Sequence, residues 1–256
     1  RARSRPRCRP GPRPTSPKLR EEISITIIPG WNLRQVAEYL VKQGFASSTQ
    51  DVFKITGKPA YDYRPVAFAL PKIDELKILE EKPEHISYEG YLAPETYRVF
   101  RDASLLDVLK KLIRQRGKEI SEEIWSDIEK SGRSFYEILT MASLLEKEVR
   151  SSEDKAMVAD ILWRRYDKNW ALQVDSSVHY AIDKRGDVFT TKKERDFVSP
   201  WNTYKYPGLP LGPISNPGLG SIFAAIYPEK NSYWYFLTSK DGTVYYAKTL
   251  EEHNAN

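Results

Sequence analysis

The side chain best placed to do chemistry in this sequence is a carboxyl. Phe135–Arg150 reads as one helix, and on a helical wheel Phe135, Ile138, Leu139, Ala142, Leu145 and Val149 gather on one face. Glu146 falls at the edge of that face, roughly 40° from its centre at about 100° per residue. Glu148 points almost directly away on the same wheel, as a solvated glutamate does. Desolvation beside Leu139, Ala142 and Leu145 would favour the neutral form of Glu146. A carboxyl kept protonated near neutral pH suits general-acid work, donation to a glycosidic leaving oxygen included. The wheel leaves a second reading open: Arg150 lies four residues on and would make Glu146 an ordinary paired stripe-edge carboxylate.

Other chemistries have little to work with. The single cysteine, Cys8, excludes an internal disulfide framework and a thiolate-rich metal site. His85, His179 and His253 are far apart, so neither a metal nor another cofactor is expected. The net charge of +5 is misleading: residues 1–20 hold seven Arg, one Lys and no acid, so the other 236 residues carry −3. That stretch also holds five prolines and reads as a disordered basic tail or leader. A mildly acidic body gives no electrostatic case for nucleic-acid binding. The longest clean apolar run, Val66–Leu70, is too short to span a bilayer. The chain starts at Arg1 with no leader pattern and reads as part of a longer protein.

The elements that must position the carboxyl follow from periodicity. Ile23–Ile27 alternates and is β-branched, which predicts a strand. Asn32 caps a predicted helix through Val41 that stops at Gly44, and Ser47-Ser48-Thr49 opens a second, shorter one. Ile73–Leu79 is a candidate short helix, and Glu89–Tyr97 reads as an aromatic turn. From Ser104 the stripe Leu105, Leu106, Val108, Leu109, Leu112 and Ile113 predicts a helix, with a break at Gly117 before the pattern resumes to Ser131-Gly132. Ser134 and Glu137 form a capping box at the start of the helix that carries Glu146. A further helix is expected around Lys155–Tyr166. Pro207–Gly220 holds four Pro and four Gly in fourteen residues and excludes helix and central strand. Ser221 is the expected cap of a short helix, and Asp241-Gly242 joins strands Tyr233–Leu237 and Val244–Ala247.

Leu139–Glu148 (LTMASLLEKE) closely resembles the catalytic segment of the YceG-like (MltG-type) endolytic murein transglycosylases, bacterial enzymes that cut peptidoglycan glycan strands. Further blocks match in order. Glu89–Tyr97 (EGYLAPETY) is similar to the family's EGxxxP(D/E)TY block, and Leu172–Asp175 (LQVD) to its LQ(T/S)D block. Asn202-Thr203-Tyr204 with Gly208–Gly218 resembles its NTY…GLPPGPIxNPG block, and Ala224 to Asn254 its closing segment. Departures are Ser176 for Pro, Arg164 for Asn, Trp201 for Tyr and Leu211 for Pro, with Thr238-Ser239 where Asp or Asn is common.

The resemblance implies an α+β fold: a small strand–helix subdomain over 21–85, preceding or part of a LysM-like region, and a mixed helical catalytic domain over 86–256. That domain would end in a β-hairpin and hold a glycan-binding groove. It implies that Glu146 gives a proton to the bridging oxygen and then takes one from the C6 hydroxyl of N-acetylmuramic acid, leaving 1,6-anhydro ends. One carboxyl suffices for this, whereas hydrolysis needs two. Tyr204, Asn202, Thr203, Gln173, Asp175 and Asn216 are the implied substrate contacts, with Pro207–Gly220 as a stiff groove wall. Glu89 and Glu95 are expected to fix a turn, and His253 to pack or cap. Two alternatives stay open: a hydrolytic muramidase with Asp175 as second carboxylate, and a non-catalytic peptidoglycan-binding scaffold. The implied partners are glycan strands and the cell-wall synthesis machinery. The implied location is the extracytoplasmic face of the bacterial inner membrane, reached through an upstream anchor.

Overall fold

Side-chain caps set most of the helix starts. In a computed structural model that describes residues 20–66, 70–186 and 190–255, strand β1 (Glu22–Thr26) leads into α1 (Leu33–Lys42) and α2 (Thr49–Thr56). Asn32 with Gln35, and Ser48 with Asp51, close capping boxes at these two helices. The short α3 (Lys77–Glu80) precedes β2 (Thr96–Phe100), α4 (Leu105–Glu119), α5 (Glu122–Ser131), α6 (Phe135–Glu148) and α7 (Ser152–Asp167). Then come α8 (Asp175–Ala181), α9 (Lys192–Arg195), α10 (Leu219–Ile226), the hairpin β3 (Tyr235–Thr238) and β4 (Val244–Ala247), and α11 (Leu250–Ala255). The fold is α+β, with helices dominant and two small antiparallel sheets among the described residues. Residues 1–19, with Cys8, and positions 67–69 of the apolar run lie outside the described residues.

Two sequence expectations change here for tertiary reasons. Thr96 and Tyr97, expected to end a turn, instead open β2: Tyr97 and Val99 point inward, and the strand pairs antiparallel with β1, Ile25 facing Tyr97 and Ile23 facing Val99. The helix from Ser104 runs through Gly117 and breaks at Ile120, after which Ser121 caps a separate α5. The β1–β2 pairing crosses the expected boundary near residue 85. One apolar core runs from Ile25, Leu33 and Leu40 through Tyr91, Leu112 and Leu145 to Ile222, so the N-terminal unit is fused to the helical body.

At the centre lies α6. Phe135 and every residue from Ile138 to Leu145 are buried, Thr140, Met141, Ser143 and Leu144 included, because α7, α8 and α10 pack around the helix. A helix enclosed on every side has no solvated face. The proline-glycine stretch is enclosed too. Residues 212–217 are buried and thread past α6: the Ile214 amide donates to Ser143 Oγ at 3.0 Å, and Ser215 Oγ donates to the Ser143 carbonyl at 3.1 Å. Gly90, at φ 87°, packs so closely on this strap that a Cβ there would lie 2.8 Å from Pro213. Residues 212–217 of the expected groove wall are therefore an interior strap, tied to its neighbours through Ile214, Ser215 and Asn216, while Pro207 and Gly220 at its ends are exposed.

Candidate active site

The last residue of α6 is Glu148; Val149 follows with extended backbone, so the helix stops two residues before the expected Arg150. Glu148 sits one and two turns beyond Leu144 and Met141, both fully buried. Its side is thus covered, and the first turn of α8 covers it. The expectation of a solvated Glu148 is corrected for this reason: the wheel assigned solvent to a face that α8 occupies. Glu148 is half-buried, with its carboxyl crowded by protein. Burial pushes this carboxyl up from its ordinary value, and the charge of Asp175 adds to the effect, against the Ser176 amide and Lys147. The Ser176 hydroxyl faces the carboxyl but forms no hydrogen bond of ordinary geometry. The Glu148 carbonyl accepts from Thr238 Oγ1 at 3.0 Å, which ties the helix end to β3.

Glu146 has a different setting. Its Oε2 accepts from Ser221 Oγ at 2.5 Å, from the Gly218 amide at 3.1 Å and from Lys155 Nζ at 3.3 Å. Both members of the Lys155 pair are 12% exposed. The Gly218 amide belongs to the start of α10, where a carboxylate also meets the favourable end of the helix dipole. Ser221 does not cap α10 as expected: Gly218 occupies the cap, and the serine hydroxyl turns to Glu146 instead. Gly30 and Gly218 pack on the Glu146 side chain, leaving ordinary contact distances for a Cβ of 3.5 and 3.6 Å. Arg150, the partner considered from spacing, lies instead against Gly242 of the hairpin turn. A carboxylate with an ammonium and two further donors on one oxygen is built to lock α6 to α10 and α7.

The LQVD and NTY blocks meet beside Glu148. Tyr204 donates its hydroxyl to Asp175 Oδ1 at 2.6 Å, and burial followed by this carboxylate pushes the phenol well up. Thr203 is buried and stitches the blocks together: its Oγ1 accepts from the Val174 amide at 3.0 Å, and its carbonyl accepts from the Gln173 amide at 3.0 Å. Gln173 holds φ 55°, a conformation that non-glycine residues rarely adopt, and its side chain is exposed. Asp175 and Tyr204 are thus brought beside Glu148, with exposed Gln173 two residues before Asp175.

Two expected sugar contacts are already committed. Asn202 is 1% exposed; its Nδ2 donates to the carbonyls of Arg195 and Phe197, and its Oδ1 accepts from the Tyr204 amide at 2.9 Å. It positions Tyr204 rather than reaching outward. Asn216 is fully buried, accepting from the Leu92 amide and donating to the Trp31 carbonyl and to Glu89 Oε1. Its partner Glu89 also accepts from the Leu33 amide at 2.9 Å and the Tyr180 hydroxyl at 3.1 Å. Glu89 therefore ties α1, α8 and the strap together, and burial pushes its carboxyl up to about 7. Glu95 is exposed and bonds the Thr96 amide, and His253 stacks on Tyr235 with ring centroids 5.3 Å apart.

The covering of Glu148 is what spacing missed. Met141 and Leu144, apolar on the supposedly wet face, were the available signal: a helix apolar on both sides is enclosed, and a glutamate at its end is then out of place. Tyr204 also borders an open depression of about 430 Å³ lined by Lys192, Arg195, Asp196 and Lys205. Among the described residues no cluster of three or more His, Cys, Asp or Glu could hold a metal ion.

The chain resembles known proteins along most of its length. An endolytic murein transglycosylase of Bacillus subtilis (strain 168) is 35% identical over 233 residues, covering 91% of this chain and 63% of the relative. An endolytic murein transglycosylase of Streptococcus pneumoniae serotype 2 (strain D39) is 28% identical over 249 residues, covering 91% of this chain and 44% of that one. The chain therefore spans under two thirds of the length of these relatives. The crystal structure of a yceG-like protein from Listeria monocytogenes superposes with a TM-score of 0.75 at 35% identity, over 91% of this chain and 75% of that one. The sequence profile of the YceG-like family covers residues 14–256, and with the ordered blocks around α6, α8 and the strap this places the chain in the YceG-like family.

Proposed function

We propose that the chain carries the catalytic region of an endolytic lytic transglycosylase, cleaving the β-1,4 bond between N-acetylmuramic acid and N-acetylglucosamine with Glu148 as its acid and base. The observation that carries this reading is the Glu148 carboxyl, crowded at the end of an enclosed helix and pushed toward its neutral form beside the Asp175–Tyr204 pair. Glu146, the other candidate, is held by Lys155, Gly218 and Ser221, and we assign it to the scaffold. The names of the relatives, endolytic murein transglycosylase, support the substrate class.

In this scheme protonated Glu148 gives its proton to the bridging oxygen as the bond to the muramyl C1 breaks. The resulting carboxylate then takes the proton of the C6 hydroxyl as that oxygen bonds to C1. The ring closes to a 1,6-anhydro end, no water is consumed, and Glu148 is again protonated. Asp175 raises the proton affinity of Glu148 before transfer, because two neighbouring carboxylates resist ionising together. Tyr204 can stack on a sugar face, and exposed Gln173 is free to bond N-acetyl or hydroxyl groups. We place Asn202, Thr203 and Asn216 behind these as positioning residues.

The nearness of Asp175 to Glu148 also gives the hydrolytic muramidase reading its one support, a second carboxylate. Digestion of uncrosslinked glycan strands separates the two by mass. Anhydro ends, one water lighter than reducing ends, are expected; reducing ends would favour hydrolysis; intact strands with retained binding would favour a scaffold. Because the polymer lies outside the cytoplasmic membrane, we place the activity there, alongside the machinery of wall synthesis. The described residues contain no helix long and apolar enough to cross a membrane, so anchoring stays part of the proposal for the longer protein.

A further inference from the structure

The depression beside Tyr204 is not used by the chemistry above. Its lining has three cations, Lys192, Arg195 and Lys205, against one carboxylate, Asp196. This is a local excess of positive charge on a body that carries −3 outside residues 1–20. The three are exposed, and none of them forms an ion pair among the described residues. They are nevertheless held in place. Thr191 and Glu194 close a capping box on α9, which carries Lys192 and Arg195. The Arg195 carbonyl is anchored by Asn202 Nδ2 at 2.8 Å, and the Arg195 guanidinium sits over the Tyr204 ring at 5.5 Å. Lys205 Nζ reaches the Asp196 carbonyl at 3.4 Å.

Tyr204 connects this basic patch to the reacting end of the site, since the same ring that borders the depression bonds Asp175 next to Glu148. The muramyl ring that reacts at C1 carries a peptide on its own C3 through a lactyl ether, so a ring seated between Glu148 and Tyr204 would direct that peptide out along the Tyr204 side of the site. Stem peptides of this kind bear free carboxylates. We propose that Lys192, Arg195 and Lys205 form a subsite for the carboxylates of the peptide carried by the reacting muramyl residue. The proposal rests on the glycan-cleaving reading above. The subsite makes the chain a selector for strands that still carry their peptides.

The test compares uncrosslinked glycan strands bearing peptides with the same strands stripped by an amidase that cuts the lactyl–peptide bond. The readout is the ratio of kcat/KM on the two polymers. The unsubstituted chain is expected to favour the peptide-bearing strand. Exposed charge pairs are individually weak, so Lys192→Gln with Lys205→Gln should lower that ratio by roughly three- to tenfold rather than abolish turnover. Raising the salt should erode the ratio in the same direction. A ratio near one for the unsubstituted chain, or an equal loss on both polymers in the double variant, overturns the subsite. Equilibrium binding of the two polymers to Glu148→Gln separates this outcome from failure of the underlying reaction. If the unsubstituted chain releases no ends from either polymer, the reaction assignment falls. A preference of Glu148→Gln for peptide-bearing strands, lost in the triple variant with the two lysines changed, would then still establish the subsite, and equal binding would refute it.

Discussion

Replacing Glu146 should cost stability and spare catalysis, the reverse of what the family-like helix read on a wheel implies. Its Oε2 collects Ser221 Oγ at 2.5 Å, the Gly218 amide at 3.1 Å and Lys155 Nζ at 3.3 Å, with both charged partners only 12% exposed. In Glu146→Ala all three donors lose their acceptor. Hydrogen bonds to a charged group contribute about 1.5–3 kcal/mol, and removing one member of a buried ion pair costs about 3–5 kcal/mol. The partial exposure of this pair puts Glu146→Ala at about 3 kcal/mol. Glu146→Gln keeps an acceptor for Gly218 and Ser221 and loses only the charge facing Lys155, so about 1–2 kcal/mol is expected. At roughly 2–4 °C per kcal/mol for a chain of this size, Glu146→Ala should melt some 6–12 °C lower and Glu146→Gln about half as far. Thermal unfolding followed by circular dichroism gives these shifts. Turnover of glycan strands, measured well below the lowered Tm, should stay within about tenfold of the unsubstituted chain. A Glu146→Gln protein that melts unchanged yet releases no anhydro ends would refute the reasoning and return the acid role to Glu146.

Glu89 gives a pH signature. Its carboxyl sits at about 7 in the folded chain against an ordinary 4.5, so the folded state holds the proton more tightly. The stabilisation is complete below pH 4.5 and is lost as pH rises toward 7, an effect of about 3 kcal/mol at most; urea unfolding at pH 5 and pH 8 measures it, and Glu89→Gln should flatten the dependence, lowering stability at pH 5 and narrowing the gap to the unsubstituted chain at pH 8. An unchanged slope in that variant contradicts the assignment. Tyr204→Phe removes the hydroxyl from Asp175 Oδ1 and leaves a less shielded negative charge beside Glu148. The basic limb of the pH–rate profile should move upward and kcat should fall by about tenfold, whereas an unmoved profile would uncouple Asp175 from Glu148. Gly90→Ala forces a side chain onto φ 87° and to 2.8 Å from Pro213, so a loss of at least about 2 kcal/mol in unfolding free energy is expected, and a wild-type Tm would refute the packing described for the strap.

What the sequence made legible is local. The boxes Asn32–Gln35, Ser48–Asp51 and Ser134–Glu137 are each closed by residues three apart, so the Asn32 cap and the Ser134–Glu137 box could be read from spacing, whereas Ser221 was drawn off its expected cap by Glu146, a distant partner. The Asp241-Gly242 turn likewise needs only its own backbone, with Gly242 at φ 93° between β3 and β4. The strand β2 escaped because its partner β1 lies some seventy residues away, Thr26 opposite Thr96. The family blocks imply Asn202 and Asn216 as sugar contacts, but only the folded chain reveals that the Arg195, Phe197, Trp31 and Leu92 backbones already occupy them. The two glutamates differ for the same reason. A wheel ranks faces of one helix by its own residues, while the environment of Glu148 is supplied by α8 and that of Glu146 by α7 and α10. Gln173 stands between these cases: its block was recognisable, yet its left-handed backbone and free side chain are properties of the fold.

The most direct measurement is the rate at which Glu148→Gln releases ends from uncrosslinked glycan strands, with products identified by mass and folding checked by the melting temperature. A neutral amide of the same shape cannot give and retake a proton, so the account predicts a fall of at least about a thousandfold with strand binding and Tm retained. Anhydro ends released by Glu148→Gln at the unsubstituted rate would contradict it.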